Sequence, residues 1–158
     1  MIIKKIAFPT VLFLAISSLC SYRVFIPCKL QGIKGHVYLI KGNQMPSPDI
    51  KPAPAKGYST TICVYELTNI NQVKRAVNSP FYSSIQTKLI KEIKSNKDGF
   101  FKVALKKGEY SLFVKVVIKK DTFFYANRLD GRSNLFPVNV ENCKYTEVEF
   151  KADYDAVY

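Results

Sequence analysis

From Ile33 the apolar positions keep a period of two: Ile33, Gly35, Val37 and Leu39 fall on one side and Lys34, His36 and Tyr38 on the other, as in a half-buried strand. Residues 60–67, TTICVYEL, are rich in β-branched and aromatic side chains and read as a second strand. A third run covers 87–94. Phe101, Val103 and Leu105 then alternate with Phe100, Lys102 and Ala104, and Tyr110, Leu112, Val114 and Val116 share a face. Runs at 123–126, 136–140 and 145–150 complete the series. Ser95-Asn96-Lys97-Asp98-Gly99 predicts a hairpin turn whose glycine is free to take positive φ, and Lys106-Lys107-Gly108 predicts another tight turn. One stretch departs from the pattern: in residues 69–80, NINQVKRAVNSP, Ile70, Val73 and Val77 recur at helical spacing until Pro80 stops the run. That predicts at most one short helix near 70–78. Residues 41–58 hold four of the eight prolines and no periodicity, and read as a loop. The expected fold is all-β, a two-sheet sandwich of about seven strands. Its expected core contains Val37, Leu39, Val64, Phe101, Val103, Leu112, Val114, Val138, Val140, Val148 and Phe150.

The first twenty residues follow another logic. Lys4 and Lys5 precede an apolar run over 6–16 and then the small residues Ser17 and Ser18, the layout of a secretory signal. The run is shorter than the ~20 residues that span a bilayer as a helix, and Pro9 interrupts it. Residues 1–19 are therefore expected to be a signal peptide, 20–31 an N-terminal tether and 32–158 a single domain. Cys20 sits where a bacterial lipoprotein keeps its lipidated cysteine, but Leu19 stands where a small residue is usual. Plain cleavage, after Ser17 or after Cys20, is the alternative. The expected location is the periplasm or outer cell envelope, with Cys20 as a candidate lipid anchor.

Composition adds two constraints. Eleven Phe and ten Tyr supply ample apolar area, while 24 Lys and Arg against 12 Asp and Glu leave a formal charge of +12. The lysines are scattered over strand exteriors, as at Lys88, Lys91 and Lys94, rather than clustered with stacking aromatics, so a solvated surface is expected and a nucleic-acid partner is not. An anionic membrane surface or an acidic glycan is the functional alternative. One histidine and no tryptophan argue against metal sites built on several imidazoles. No phosphate-binding loop, dinucleotide fingerprint, C-x-x-C pair or H-E-x-x-H occurs. Asp98-Gly99 and Asp130-Gly131 read as turns rather than calcium loops. No catalytic, cofactor-binding or metal-ligating residue is assigned, and His36 reads as a surface histidine.

Gly32-Ile33-Lys34-Gly35-His36-Val37, then Asp98-Gly99-Phe100-Phe101-Lys102-Val103-Ala104-Leu105, then Gly108-Glu109-Tyr110-Ser111-Leu112, together resemble the carboxypeptidase regulatory-like domain over about residues 31–151. Lys106 and Lys107 replace that family's usual proline pair. The resemblance implies a transthyretin-like β-sandwich and concerns an accessory domain without a zinc peptidase. Two enzyme families share this general sandwich. Hydroxyisourate hydrolases need more than one histidine and a Tyr-Arg-Gly-Ser tail, where this chain ends Asp155-Ala156-Val157-Tyr158; intradiol dioxygenases need two histidines and two tyrosines for iron. One histidine serves neither scheme.

The expected function is a non-enzymatic, exported domain that binds an envelope protein or acts as a structural adaptor. A small-ligand or glycan-binding domain is the alternative, and an enzyme of unrecognised type is a third, weaker class. The proline-stiffened loop offers Asn43, Gln44 and Met45 as candidate binding residues, because long ordered loops tend to carry function. If Cys20 is lipidated or removed, Cys28, Cys63 and Cys143 cannot all pair internally. Cys63 reads as a buried free thiol within its strand. The resemblance implies that the first strand and a late strand run side by side in parallel, which would bring Cys28 and Cys143 to one end of a sheet as a disulfide. The alternatives are that all three stay reduced, or that Cys28 lies in the tether.

Overall fold

The computed structural model of the chain describes residues 30–45, 54–76 and 80–158. The expected signal peptide, Cys20, Cys28 and Val77 lie outside the described residues. Eleven strands occur among those described: β1 (Gly32–Asn43), β2 (Lys56–Gly57), β3 (Thr61–Glu66), β4 (Val73–Arg75), β5 (Phe81–Ile85), β6 (Leu89–Lys94), β7 (Phe100–Ala104), β8 (Gly108–Ile118), β9 (Asp121–Tyr125), β10 (Pro137–Val140) and β11 (Tyr145–Val157). They form an all-β sandwich. In the four-stranded sheet β1 is central, with β11 parallel on one side and β7 and β2 antiparallel on the other. The seven-stranded sheet runs β4-β5-β9-β8-β3-β6, with β10 beside the start of β8.

The alternation in β1 has its expected effect. Ile33, Gly35 and Val37 are buried while Lys34, His36 and Tyr38 are half-buried on the outer face. A side chain at Gly35 would collide with the Val148 carbonyl of β11. Of the expected core, every residue but Leu39 is buried, and Leu39 packs against its margin.

Four expectations are revised. The prolyl loop is shorter at both ends, since β1 continues to Asn43 against Val157 and Lys56–Gly57 pairs with Tyr38 and Leu39. The helical spacing after Asn69 yields only a 3₁₀ turn, Ile70–Gln72. Asn69 caps it by accepting from the Asn71 N–H, Gln72 reaches back to the Asn69 N–H, and β-branched Val73 re-enters extended structure as β4. β5 had no strand assigned to it. Finally, the turn at 95–99 is a crossing between sheets rather than a hairpin, and the tight turn at 106–108 crosses back. β6 and β8 belong to the larger sheet and β7 to the smaller. Gly99, at φ 81°, makes the first crossing possible: its carbonyl accepts from the Val37 N–H at 2.9 Å, so close that a Cβ would strike the β1 backbone.

The larger sheet is apolar on both faces. Leu112, Val114 and Val116 face the smaller sheet, yet Ser111 and Phe113 on the opposite side are also fully buried. Tyr65 and Tyr82 meet the Phe113 ring edge-on, with centroids 5.5 and 6.2 Å away, and Phe124 meets Tyr65. The segment after β3 closes this outer layer. The buried Thr68 N–H donates to the Ser111 hydroxyl at 2.9 Å, and Ile70, Val73 and Ile85 are partly buried against the core.

Candidate functional site

β11 offers a site because one of its edges has no neighbouring strand among the described residues. It pairs only with β1, and the Gly32 N–H donates to the Lys144 carbonyl. In a parallel ladder alternate residues bond to each side. The even-numbered residues from Lys144 to Ala152 therefore turn their N–H and C=O groups to β1, and Tyr145, Glu147, Glu149 and Lys151 turn theirs away. Asn127 confirms the direction by donating its side-chain amide to the Lys151 carbonyl at 2.7 Å. The same amide donates to Asp153 at 2.9 Å, so the far end of this edge is capped. The open stretch is 145–149.

That stretch faces a hollow of about 560 Å³ between β10 and β11, with Val138 and Val148 among its apolar lining and Arg128, Glu141, Lys144, Glu147 and Glu149 as its charges. A second hollow of about 330 Å³ continues past Arg128 towards Asn127 and Lys151. Arg128 is held at their junction. Its guanidinium lies 4.4 Å above the Phe136 ring and donates to the Pro137 carbonyl at 2.9 Å. Phe136, at a positive φ of 38°, stacks on Phe150 at 4.4 Å. Backbone strain at a bulky residue is thus matched by two ring contacts.

The rim carboxylates are only lightly held. Glu147 is 3.8 Å from Lys34, Glu149 is 3.4 Å from Lys151, and Glu141 is 2.7 Å from Lys144. The Glu147 and Glu149 side chains are 75% and 57% exposed, and ion pairs so exposed exchange readily with other partners. Beyond the rim, the outer face of the smaller sheet carries His36 against Tyr38 and Phe100, centroids 5.9 and 5.3 Å apart, and Lys102 over Tyr145.

Asn43, Gln44 and Met45 lie at the other end of β1. Asn43 pairs with Val157 and its side chain accepts from the Met45 N–H at 2.9 Å. Gln44 donates its backbone N–H to Val157 and its side chain to the Lys41 carbonyl. Met45 is 48% exposed. The register places these residues far along β11 from Glu147 and Glu149, so the structure does not unite them with the hollow. Cys143, in the turn before β11, is disulfide-bonded; the assigned partner Cys28 is outside the described residues. Cys63 is a buried free thiol, 3.6 Å from a Glu92 carboxylate oxygen. Burial first, and then the Glu92 charge, push its pKa up to about 12.

Asp153 accepts from Tyr125 at 2.5 Å, from Asn127 and from Tyr158 at 3.1 Å. Burial opposes its ionisation, yet these donors hold its carboxyl below the ordinary value. Asp130 is a turn residue, accepting from the Arg132 and Asn134 N–H groups at 2.9 and 2.8 Å. Among the described residues no three His, Cys, Asp and Glu side chains converge on one point. Sequence reasoning did not single out Arg128, Glu141, Glu147 or Glu149. The outward alternation of Glu147 and Glu149 was visible in the sequence, but not which edge of their strand would stay open. Compared with protein-family models, with curated proteins and with solved structures, the chain finds no match.

Proposed function

We propose that this chain is an exported, non-enzymatic protein-binding or adaptor module of the bacterial envelope, built as a carboxypeptidase regulatory-like, transthyretin-like sandwich. The observation that carries the reading is the hollow along the open edge of β11, where backbone donors and acceptors, apolar floor and exchangeable carboxylates converge. The signal-like start supports export, with Cys20 as the lipid anchor or plain cleavage nearby. The parallel pairing of β1 with β11 is what the resemblance implies.

The test is site-specific photo-crosslinking in the source cell, with a photoreactive residue in place of Asn139 and a control probe at Lys97. The reading expects a discrete protein adduct from the Asn139 probe alone. Adducts with glycan or lipid only, or the same adducts from both probes, would overturn it. One observation favours a second reading, a glycan or small-ligand domain. The rings of His36, Tyr38 and Phe100 form an outer-face platform beside Glu147 and Glu149, and a shallow hollow of about 310 Å³ reaches His36 and Tyr38. Saturable oligosaccharide binding that Tyr38→Ala and Phe100→Ala abolish would move the assignment there.

A further inference from the structure

We propose that the hollow takes an extended segment of a partner protein as an added strand on β11, and that it selects segments carrying lysine or arginine at alternate positions. The proposal rests on the protein-binding reading and names the chemistry of the partner.

The backbone sets the mode. Tyr145, Glu147 and Glu149 each present one N–H and one C=O to the hollow, spaced for a strand to pair with them. Other peptide-docking modes would leave these groups facing the ligand without using them. The length is bounded as well. The Glu141 to Lys144 turn closes one end, and Asn127 occupies the Lys151 carbonyl at the other. About five residues fit, spanning roughly 17 Å at strand rise.

Side-chain alternation then sets the sequence preference. Odd-numbered β11 side chains point to solvent, so residues of the added strand that lie opposite Glu147 and Glu149 point the same way. Opposite charges at such positions stabilise a pair and like charges oppose it. The intervening residues turn to the floor at Val138 and Val148, beside the Arg128 guanidinium, and so are best apolar and uncharged. Glu141, Glu147 and Glu149 are paired with Lys144, Lys34 and Lys151, all well exposed, so a basic residue of the added strand competes for carboxylates that are only loosely held. Charged residues along an edge also discourage indiscriminate strand pairing. Here Arg128 and Lys144 line the hollow together with the glutamates, and Glu147 and Glu149 are the exposed charges that an added strand meets on its outer face.

The test uses the full mature chain and synthetic pentapeptides alternating valine with lysine, or valine with glutamate, read by fluorescence anisotropy. The lysine peptide is expected to bind at least roughly tenfold more tightly than the glutamate peptide. Methylating the peptide nitrogens that face β11 should weaken binding by about tenfold or more, while methylating the alternate nitrogens should leave it within about twofold. The double variant Glu147→Lys, Glu149→Lys should reverse the charge preference. Binding of the lysine peptide that ignores both methylation and charge reversal would overturn strand addition but leave the protein-binding reading in place. Absence of peptide binding together with absence of the Asn139 adduct would overturn both.

Discussion

Phe113→Ala separates a sandwich with one apolar layer from one whose larger sheet is apolar on both faces. On alternation alone, Phe113 belongs to the face of β8 opposite Leu112 and Val114, a position that would tolerate truncation if it met solvent. In the structure it is fully buried, with Tyr65 and Tyr82 edge-on to its ring. Truncating a buried Phe costs about 3–5 kcal/mol through lost transfer energy and the cavity left behind, and the two edge-on ring contacts place this site in the upper half of that range. The expected loss is about 4–5 kcal/mol, against a total stability of about 5–15 kcal/mol for an ordinary domain. Phe100, on the outer face of the smaller sheet and 39% exposed, is the internal control, with an expected loss within about 1 kcal/mol for Phe100→Ala. Urea unfolding of both variants, followed by circular dichroism and tyrosine fluorescence, measures the difference at constant m. Equal losses, or a Phe113→Ala loss below about 1.5 kcal/mol, would refute the argument that the 68–85 region closes a second apolar layer.

Native protein at pH 8 should resist alkylation at Cys63, which is buried and holds its proton to about pH 12, and should react once unfolded in urea. Because the folded-state pKa is the raised one, the stabilisation from this group is full below pH 9 and disappears as pH rises towards 12, so Cys63→Ala should flatten the alkaline limb of stability. Asp153 has the opposite sign: its lowered pKa supports the fold above about pH 4, and that contribution disappears in stronger acid. Asp153→Ala should cost about 1–3 kcal/mol at pH 7, read by thermal unfolding, since the buried Tyr125 hydroxyl loses its acceptor. Non-reducing peptide mapping should join the Cys143 peptide to the Cys28 peptide, and Cys143→Ser should lower stability by up to about 4–5 kcal/mol in the chain-entropy model; a Cys28 found free would end that assignment. Intact-mass measurement of native protein should show residues 1 to about 17 or 19 removed, and a mass that retains residues 1–19 would end the export reading.

Much of the fold was readable because strands buried on one face advertise themselves by alternation. β1, β7 and the start of β11 read correctly for that reason, down to the outward Lys34 and His36. Where local spacing and tertiary demand conflict, the reading failed. Ile70 and Val73 are spaced for a helix, but the outer face of β8 needs a cover and an extended chain provides it. Serines at 83 and 84 hid β5, whose Phe81 and Tyr82 are the anchoring residues. The crossings at Gly99 and Gly108 have turn chemistry indistinguishable from that of hairpins, because glycine reports the local backbone and not the sheet that the next strand joins. The open edge was illegible for the same reason: alternation tells which way the Glu147 and Glu149 side chains point, and nothing about what pairs with their backbone.

The pairing of β1 with β11 also governs the order of events as the chain is made. β1 emerges first among these strands, yet its parallel partner follows about 110 residues later, a delay of roughly 5–20 s at ordinary synthesis rates. The connection spans the whole larger sheet, so closing it is an entropically slow step, and a strand-rich chain dominated by distant contacts folds on the millisecond-to-second scale even once complete. Until then Ile33, Val37 and the edge of this twelve-residue strand that β11 later covers stand exposed. The larger sheet, from β3 to β10, can assemble during that interval without either end of the sequence, which makes it the natural scaffold on which the smaller sheet is laid down last.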